Sequence, residues 1–197
     1  MNWRTCLPSP PNRWLSASRP LPYLRIDGFL SSAGAELLLG ELIGRRDEFR
    51  ARGSAGSHPA FYRMATPLEV SPEFLRGFAQ IAPLLEQRFA IDLTAPQLEL
   101  LGQAYNEGGS FGKHSDADAG GPNWQRRLSG VYYVHREPRN FTGGALAIYQ
   151  RRTRYIVEPD HNSALFFPRD LVHEVLPVRC NSLAFEDSRF AVNVWIS

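Results

Sequence analysis

The segment AYNEGGSFGKHSDADAGG carries a histidine and an aspartate two residues apart, His114 and Asp116, behind a run of glycine and small polar residues. In an extended segment residues i and i+2 project to the same side, so both side chains can address one ion while Ser115 cannot. The spacing alone is weak support, because five His and eight Asp in 197 residues give about 0.2 such pairs by chance. A third ligand from a distant strand would close three corners of an octahedron. Among His58, His135, His161 and His173, the last is best placed, since it opens HEVLPV directly after ALFFPRDLV, where a turn feeds a late strand. His161 in EPDHNS and His135 at a strand end before charged residues are expected to face solvent. A histidine at a strand start ordinarily satisfies a local hydrogen bond, so the case for His173 comes from the pair upstream. Two histidines and one carboxylate with open positions suit non-haem Fe(II). Zinc tolerates the same ligands.

A second feature separates these chemistries. In the terminal SRFAVNVWIS, Arg189, Ala191, Asn193 and Trp195 alternate onto one face, with Phe190, Val192 and Val194 on the other. A guanidinium on an otherwise apolar strand needs a partner. That partner is either an internal Asp or Glu or the distal carboxylate of a bound dicarboxylate such as 2-oxoglutarate, held bidentately.

The elements that must position these groups are readable in outline. Residues 1–20, rich in Pro, Ser and Arg, read as an extended or loosely ordered arm. The fold begins near YLRIDGFL. SSAGAELLLGELIGRR reads as a helix with serine caps, Leu38 and Leu42 at helical spacing and arginines near its end. Residues 50 to 64 read as a loop with one short strand. SPEFLRGFAQIAPLLEQRFAI starts a second helix, capped by Ser71 with Pro72 in its first turn, burying Phe74, Leu75, Phe78, Ile81 and Leu85 and kinked at Pro83. From Leu98 the rhythm changes to short β-rich runs: LELLGQAY, LSGVYYVH, GALAIYQ, TRYIVE, ALFFP, HEVLPV and RFAVNVWI. Helices followed by seven or eight strands predict a mainly β, α+β fold, a jelly-roll or double-stranded β-helix barrel over 96–197 buttressed by helical support over 21–95.

Composition sets wider bounds. With 197 residues and 43% hydrophobic content the chain can bury one compact core, so residues 21–197 are expected to form a single domain. The net charge is +2, and the arginines are scattered rather than gathered in a block, so no nucleic acid partner is expected. Cys6 and Cys180 are too few for a disulfide framework, and no segment is apolar enough for a signal peptide or membrane span. These features lead to the expectation of a soluble, cytoplasmic protein, monomeric or homodimeric.

From about Leu98 to Ile196 the chain resembles the 2-oxoglutarate- and Fe(II)-dependent dioxygenases, within them the prolyl 4-hydroxylase-like branch. The resemblance implies that His114, Asp116 and His173 ligate iron and that Arg189 holds the distal carboxylate of 2-oxoglutarate, with Tyr133 of VYYVH hydrogen-bonding the same group. It further implies pocket roles for Tyr105, Leu146, Leu101, Asn193 and Trp195. The implied cofactors are Fe(II), 2-oxoglutarate and O2, with ascorbate a candidate reductant. Asp116 favours hydroxylation, because halogenating relatives lack this carboxylate. The implied substrate is first a prolyl residue in a peptide or protein, and next a free amino acid or natural-product intermediate. Between His173 and Arg189 the stretch EVLPVRCNSLAFEDS is longer than in the animal enzymes, so Arg189 keeps its role only if this insertion loops out. HPAFYRM, ADAGGPNWQRR and CNSLAFEDS are expected to carry substrate selection, with Trp124, Arg126 and Arg127 as contacts or ordinary surface groups. A non-catalytic jelly-roll binding or sensing module would predict a damaged triad, yet all three ligand types are present. A zinc or cupin-like enzyme working without 2-oxoglutarate would leave Arg189 and Tyr133 without a purpose.

Overall fold

The computed structural model describes residues 20–52, 61–117 and 125–197. The predicted arm apart from Pro20, together with Cys6, His58 and Trp124, lies outside the described residues.

Two helices form one layer. Helix α1 spans Ser32–Gly44, where the Ser31 hydroxyl accepts the Gly34 N–H at 3.0 Å, and α2 spans Pro72–Phe89, where Ser71 accepts from Phe74 at 3.1 Å. Each serine satisfies a backbone donor that the first turn would leave orphaned. The two helix starts are tied together by Glu73, whose Oε1 accepts from both the Ser31 hydroxyl at 2.5 Å and the Ser31 N–H at 3.0 Å. Helix α2 continues through Pro83 to Phe89 as a single element. It buries Phe74, Phe78, Ile81 and Leu85, each side chain contributing roughly 1.5–3 kcal/mol by its removal from water. Leu75, expected on that face, is 49% exposed, because it stands one position, about 100° of helix rotation, off the stripe.

Among the described residues thirteen strands are arranged in antiparallel sheets that do not close. In chain order they are β1 (Leu24–Asp27), β2 (Phe49–Ala51), β3 (Phe61–Met64), β4 (Leu98–Tyr105), β5 (Phe111–His114) and β6 (Leu128–Val134). There follow β7 (Thr142–Gly143), β8 (Leu146–Gln150), β9 (Thr153–Val157), β10 (Ser163–Pro168), β11 (Val172–Val175), β12 (Val178–Arg179) and β13 (Arg189–Ile196). The major sheet has the order β1-β10-β6-β13-β4-β3-β2 and the minor sheet β5-β11-β8-β9, with β12 and β7 paired in a small ribbon. This is the jelly roll expected from the sequence, with two facing sheets in place of a closed barrel. Strands β2 and β3, on either side of undescribed residues, add to the one strand expected between 50 and 64.

The major sheet is buried on both faces, and alternation along its strands sorts its side chains into two cores. Tyr132, Val134, Phe190, Val192 and Val194 join the helices in the larger core, while Val131, Tyr133 and Ala191 join Leu146, Ile148 and Val175 of the minor sheet. Tyr105, Tyr133 and Leu146, read from the sequence as pocket residues, lie on this second, inter-sheet side. No helix among the described residues is long and apolar enough to cross a membrane.

Candidate functional site

Strands β5 and β11 lie side by side with His114 directly opposite His173, and Asp116 occupies the turn just past β5. One ligand atom from each of the three residues can be chosen so that all lie within 4.8 Å of one another, and the imidazole centroids are 4.2 Å apart. The tautomers are set by the backbone. Nδ1 of His114 lies 2.9 Å from the Gly112 carbonyl, and Nδ1 of His173 lies 2.9 Å from the Leu171 carbonyl. A carbonyl only accepts, so each Nδ1 carries the proton and each Nε2 keeps its lone pair for a ligand. Burial, the largest influence on His173, holds its pKa below the ordinary imidazole value and keeps it neutral at neutral pH. Asp116 is fixed by its own N–H, which donates to the Arg169 carbonyl at 3.0 Å, and by Ser129, whose hydroxyl donates to Oδ2. Two imidazoles presenting Nε2 and a carboxylate, converging with their outer atoms already tied, form a donor set that fits a divalent metal.

Ser129 escaped the sequence reading, although it alternates with Val131 and Tyr133 on the inter-sheet face of β6. Because it orients the carboxylate of a candidate ligand, Ser129→Ala should weaken Fe(II) binding by about 10- to 100-fold with little loss of thermal stability. Competition with a chromophoric chelator would measure this, and unchanged affinity would remove Ser129 from the site.

Across the same cavity stands Arg189, the first residue of β13 and only 1% exposed. Its Nε donates to the Gly144 carbonyl at 2.7 Å, whereas among the described residues neither terminal nitrogen has a partner at hydrogen-bond geometry, nor does the buried Tyr133 hydroxyl. The guanidinium carbon lies 4.9 Å from the ring centroids of both Tyr105 and Tyr133. Burial raises the Tyr133 pKa, so the phenol stays a proton donor. Among the described residues no Asp or Glu meets Arg189, and a fork of two buried N–H groups beside a phenolic O–H is shaped for an incoming carboxylate. Gly144 permits this approach: at φ +71° a Cβ would stand 2.7 Å from the Arg189 Cδ.

The stretch EVLPVRCNSLAFEDS does leave the sheet. After β11 it forms β12 and a short 3-10 turn at Phe185–Asp187 before β13 begins at Arg189. Asn106 pins it by donating to the Ala184 carbonyl at 2.9 Å and the Ser188 hydroxyl at 3.0 Å, and Glu107 accepts the Cys180 N–H at 2.6 Å. The AYNEGG turn thus sets the register of Arg189 as well as leading into the metal pair.

The cavity has a volume of about 430 Å³ and is lined by His114, Asp116, His173 and Arg189 together with Tyr105, Leu146, Asn193 and Trp195. Leu101 is absent from that lining. It shares the strand face of Tyr105, but four residues carry it roughly 13 Å along β4, and it packs in the larger core. His135, expected at the surface, is 4% exposed and packs edge-on against Phe141 and His161, with ring centroids 5.2 Å away in each case. Arg127 turns away to the Asp92 carbonyl.

Residues 100–197 match the family model of the 2OG-Fe(II) oxygenase superfamily. The chain belongs to that superfamily. Among curated proteins it is 28% identical over 203 residues to an uncharacterized PKHD-type hydroxylase from Synechocystis, a match covering 90% of this chain and 63% of the relative. The chain therefore spans under two thirds of the length of that relative. Its fold matches a Pseudomonas putida prolyl-4-hydroxylase with a TM-score of 0.63 at 20% identity, over 89% of this chain and 91% of the other. A Trichoplax adhaerens prolyl hydroxylase, solved with a peptide fragment of the hypoxia-inducible factor oxygen degradation domain, matches with a TM-score of 0.60 at 16% identity, over 89% and 83%. Within this oxygenase superfamily, a cavity with a metal-type triad at one wall and a carboxylate-type fork at another is matched to a metal and a dicarboxylate held together.

Proposed function

We propose that the chain is an Fe(II)- and 2-oxoglutarate-dependent dioxygenase that hydroxylates an unactivated C–H bond, with a prolyl residue of a peptide or protein as the leading substrate. The observation that carries this reading is the buried, unpartnered fork of Arg189 facing the same cavity as His114, Asp116 and His173. The likeness in fold to prolyl hydroxylases, one of them solved with a peptide, supports the substrate class.

In this reading iron and 2-oxoglutarate supply the oxidation, in which O2 converts 2-oxoglutarate to succinate and CO2 while one oxygen atom enters the substrate as hydroxyl. The chain's residues position and exclude. His114, Asp116 and His173 would hold Fe(II). Arg189 and Tyr133 would clamp the distal carboxylate, fixing the orientation of the keto acid along the cavity. Leu146, Val131, Phe167 and Val175, all lining the cavity, keep its walls apolar, so that water is displaced and the charge pairing at Arg189 gains strength.

Anaerobic titration of the apo-protein with Fe(II) and then 2-oxoglutarate should produce a visible metal-to-ligand charge-transfer band. Admitting O2 with a proline-containing peptide should then yield succinate and a product heavier by one oxygen. Absence of the band in protein shown to hold iron would overturn the reading.

A further inference from the structure

The wall of the cavity that the proposed cofactors leave free is cationic. Among the described residues lining it, and setting aside the histidines, Arg63, Arg126 and Arg189 face one carboxylate, Asp116. Fe(II) and doubly charged 2-oxoglutarate neutralise each other, so the positive excess persists after both are bound. Arg189 is then committed to the cosubstrate, which leaves Arg63 and Arg126.

These two arginines converge on one ring. The Arg126 guanidinium carbon lies 3.9 Å and that of Arg63 5.8 Å from the Trp195 ring centroid. Arg126 also donates to the Glu99 carboxylate at 2.8 Å, which partly neutralises it. Arg63 forms no ion pair among the described residues, although it is half-buried and reaches the same cavity. Desolvation, and then the neighbouring charge of Arg52, lowers its pKa, while the Glu99 carboxylate offsets them only in part. An arginine without an ion pair in a partly desolvated wall is stabilised when something anionic arrives. A planar guanidinium pair over an indole offers such a group a hydrogen-bonding edge and an apolar floor. Gln103 and Asn193, which line the same cavity, could bind a neutral amide equally well, but neither gives a reason for two cations here.

We propose that Arg63 and Arg126, packed against Trp195, form a carboxylate-binding subsite, so that the substrate carries a carboxylate near the carbon it presents for hydroxylation. This rests on the dioxygenase reading and narrows it. The carboxylate belongs either to a free amino acid or to an acidic residue beside the target in a peptide, and matched pairs of ligands separate the two sources.

The experiment adds ligands to the Fe(II)·2-oxoglutarate protein without O2 and follows the perturbation of its visible band, then measures substrate-stimulated succinate formation after O2 is admitted. One pair is L-proline and L-prolinamide. The other is an end-capped tetrapeptide with proline beside glutamate and its glutamine counterpart. In at least one pair the acid should be favoured over the amide by about tenfold or more in affinity and kcat/KM, as for a charge-assisted hydrogen bond. Arg63→Gln should erase this preference and Arg63→Lys should keep part of it. Glu99→Gln, which frees Arg126, should move the preference the other way, raising affinity for the acid a few-fold. Acid and amide responding alike in both pairs, including no response to either member, would overturn the subsite, and the band in wild type and Arg63→Gln would show that the dioxygenase reading survives. Loss of the band in wild type would bring down that reading and the subsite with it.

Discussion

Replacing Arg189 with methionine should weaken 2-oxoglutarate binding by roughly 30- to 4,000-fold, the consequence of a 2–5 kcal/mol loss when one partner of a buried charge pair is truncated. The same change should raise the melting temperature of the cofactor-free protein. The two effects share one cause. In the free protein the terminal nitrogens of Arg189 are buried without hydrogen-bond partners, and only its Nε is satisfied, by Gly144. A charge desolvated in advance of its ligand costs stability, and an apolar side chain of similar length removes that cost, by about 1–3 kcal/mol. For a chain of this size that is roughly 2–4 °C for each kcal/mol. Saturating 2-oxoglutarate should reverse the order, since wild type gains ligand stabilisation and the variant does not. Calorimetry with and without 2-oxoglutarate checks both arms. Unchanged affinity in the variant would deny Arg189 its role. A lower melting temperature without ligand would mean that the guanidinium is already compensated.

Arg189 shows what a sequence can disclose. Strand β13 has one face for the helices, Phe190, Val192 and Val194, and another for the cavity, so a cation stands out against strict alternation. The pairing of His173 with His114 was legible only as residue types. Strand β5 is FGKH with three exposed positions and a half-buried one, so it carries no apolar rhythm, and its register comes from β11, which is distant in the chain. The missed burial of His135 has a similar origin. The charged residues after it suggest solvent, but Phe141 and His161 close over the ring from other elements. Leu101 failed for the opposite reason: periodicity gave its side of the strand correctly but could not say where along it the cavity ends, whereas Leu75 was placed one position off the buried stripe of its helix. Arg63 had no signal of its own, because what distinguishes it is proximity to Trp195 at the far end of the chain. Local chemistry was readable wherever one element supplied both the group and its contrast. Where short strands distant in the chain meet, the residue types were readable but the register that joins them was not.

Fe(II) should bind at one equivalent per chain, and His173→Ala should lower its affinity by more than the 10- to 100-fold expected for an outer-shell partner, whereas His135→Ala should leave it within a few-fold. The contrast is informative because the fold contains a second group of similar composition, His135, Glu137 and His161, whose ligand-type atoms also lie within 4.8 Å of one another. Composition and proximity do not separate the two groups; the proton on His161 does, since His135, with Nδ1 2.9 Å from the Arg136 carbonyl, keeps its Nε2 free as His114 and His173 do. The His135 backbone N–H donates to Nδ1 of His161 at 3.3 Å, which occupies that lone pair and places the ring proton on Nε2. His161 therefore has no free lone pair unless this hydrogen bond breaks. Glu137 is largely exposed, and the neighbouring positive charge of Arg139 opposes a cation there. At His114 and His173 the backbone carbonyls do the reverse, protonating Nδ1 and leaving both Nε2 atoms free. His135→Ala should accordingly lower thermal stability, by opening a buried aromatic contact, without releasing iron. Titration with Fe(II) under anaerobic conditions decides the matter: a second equivalent of comparable affinity, or its loss in His135→Ala, would show that a hydrogen bond of this strength does not prevent ligation and that tautomer is not what selects the metal site.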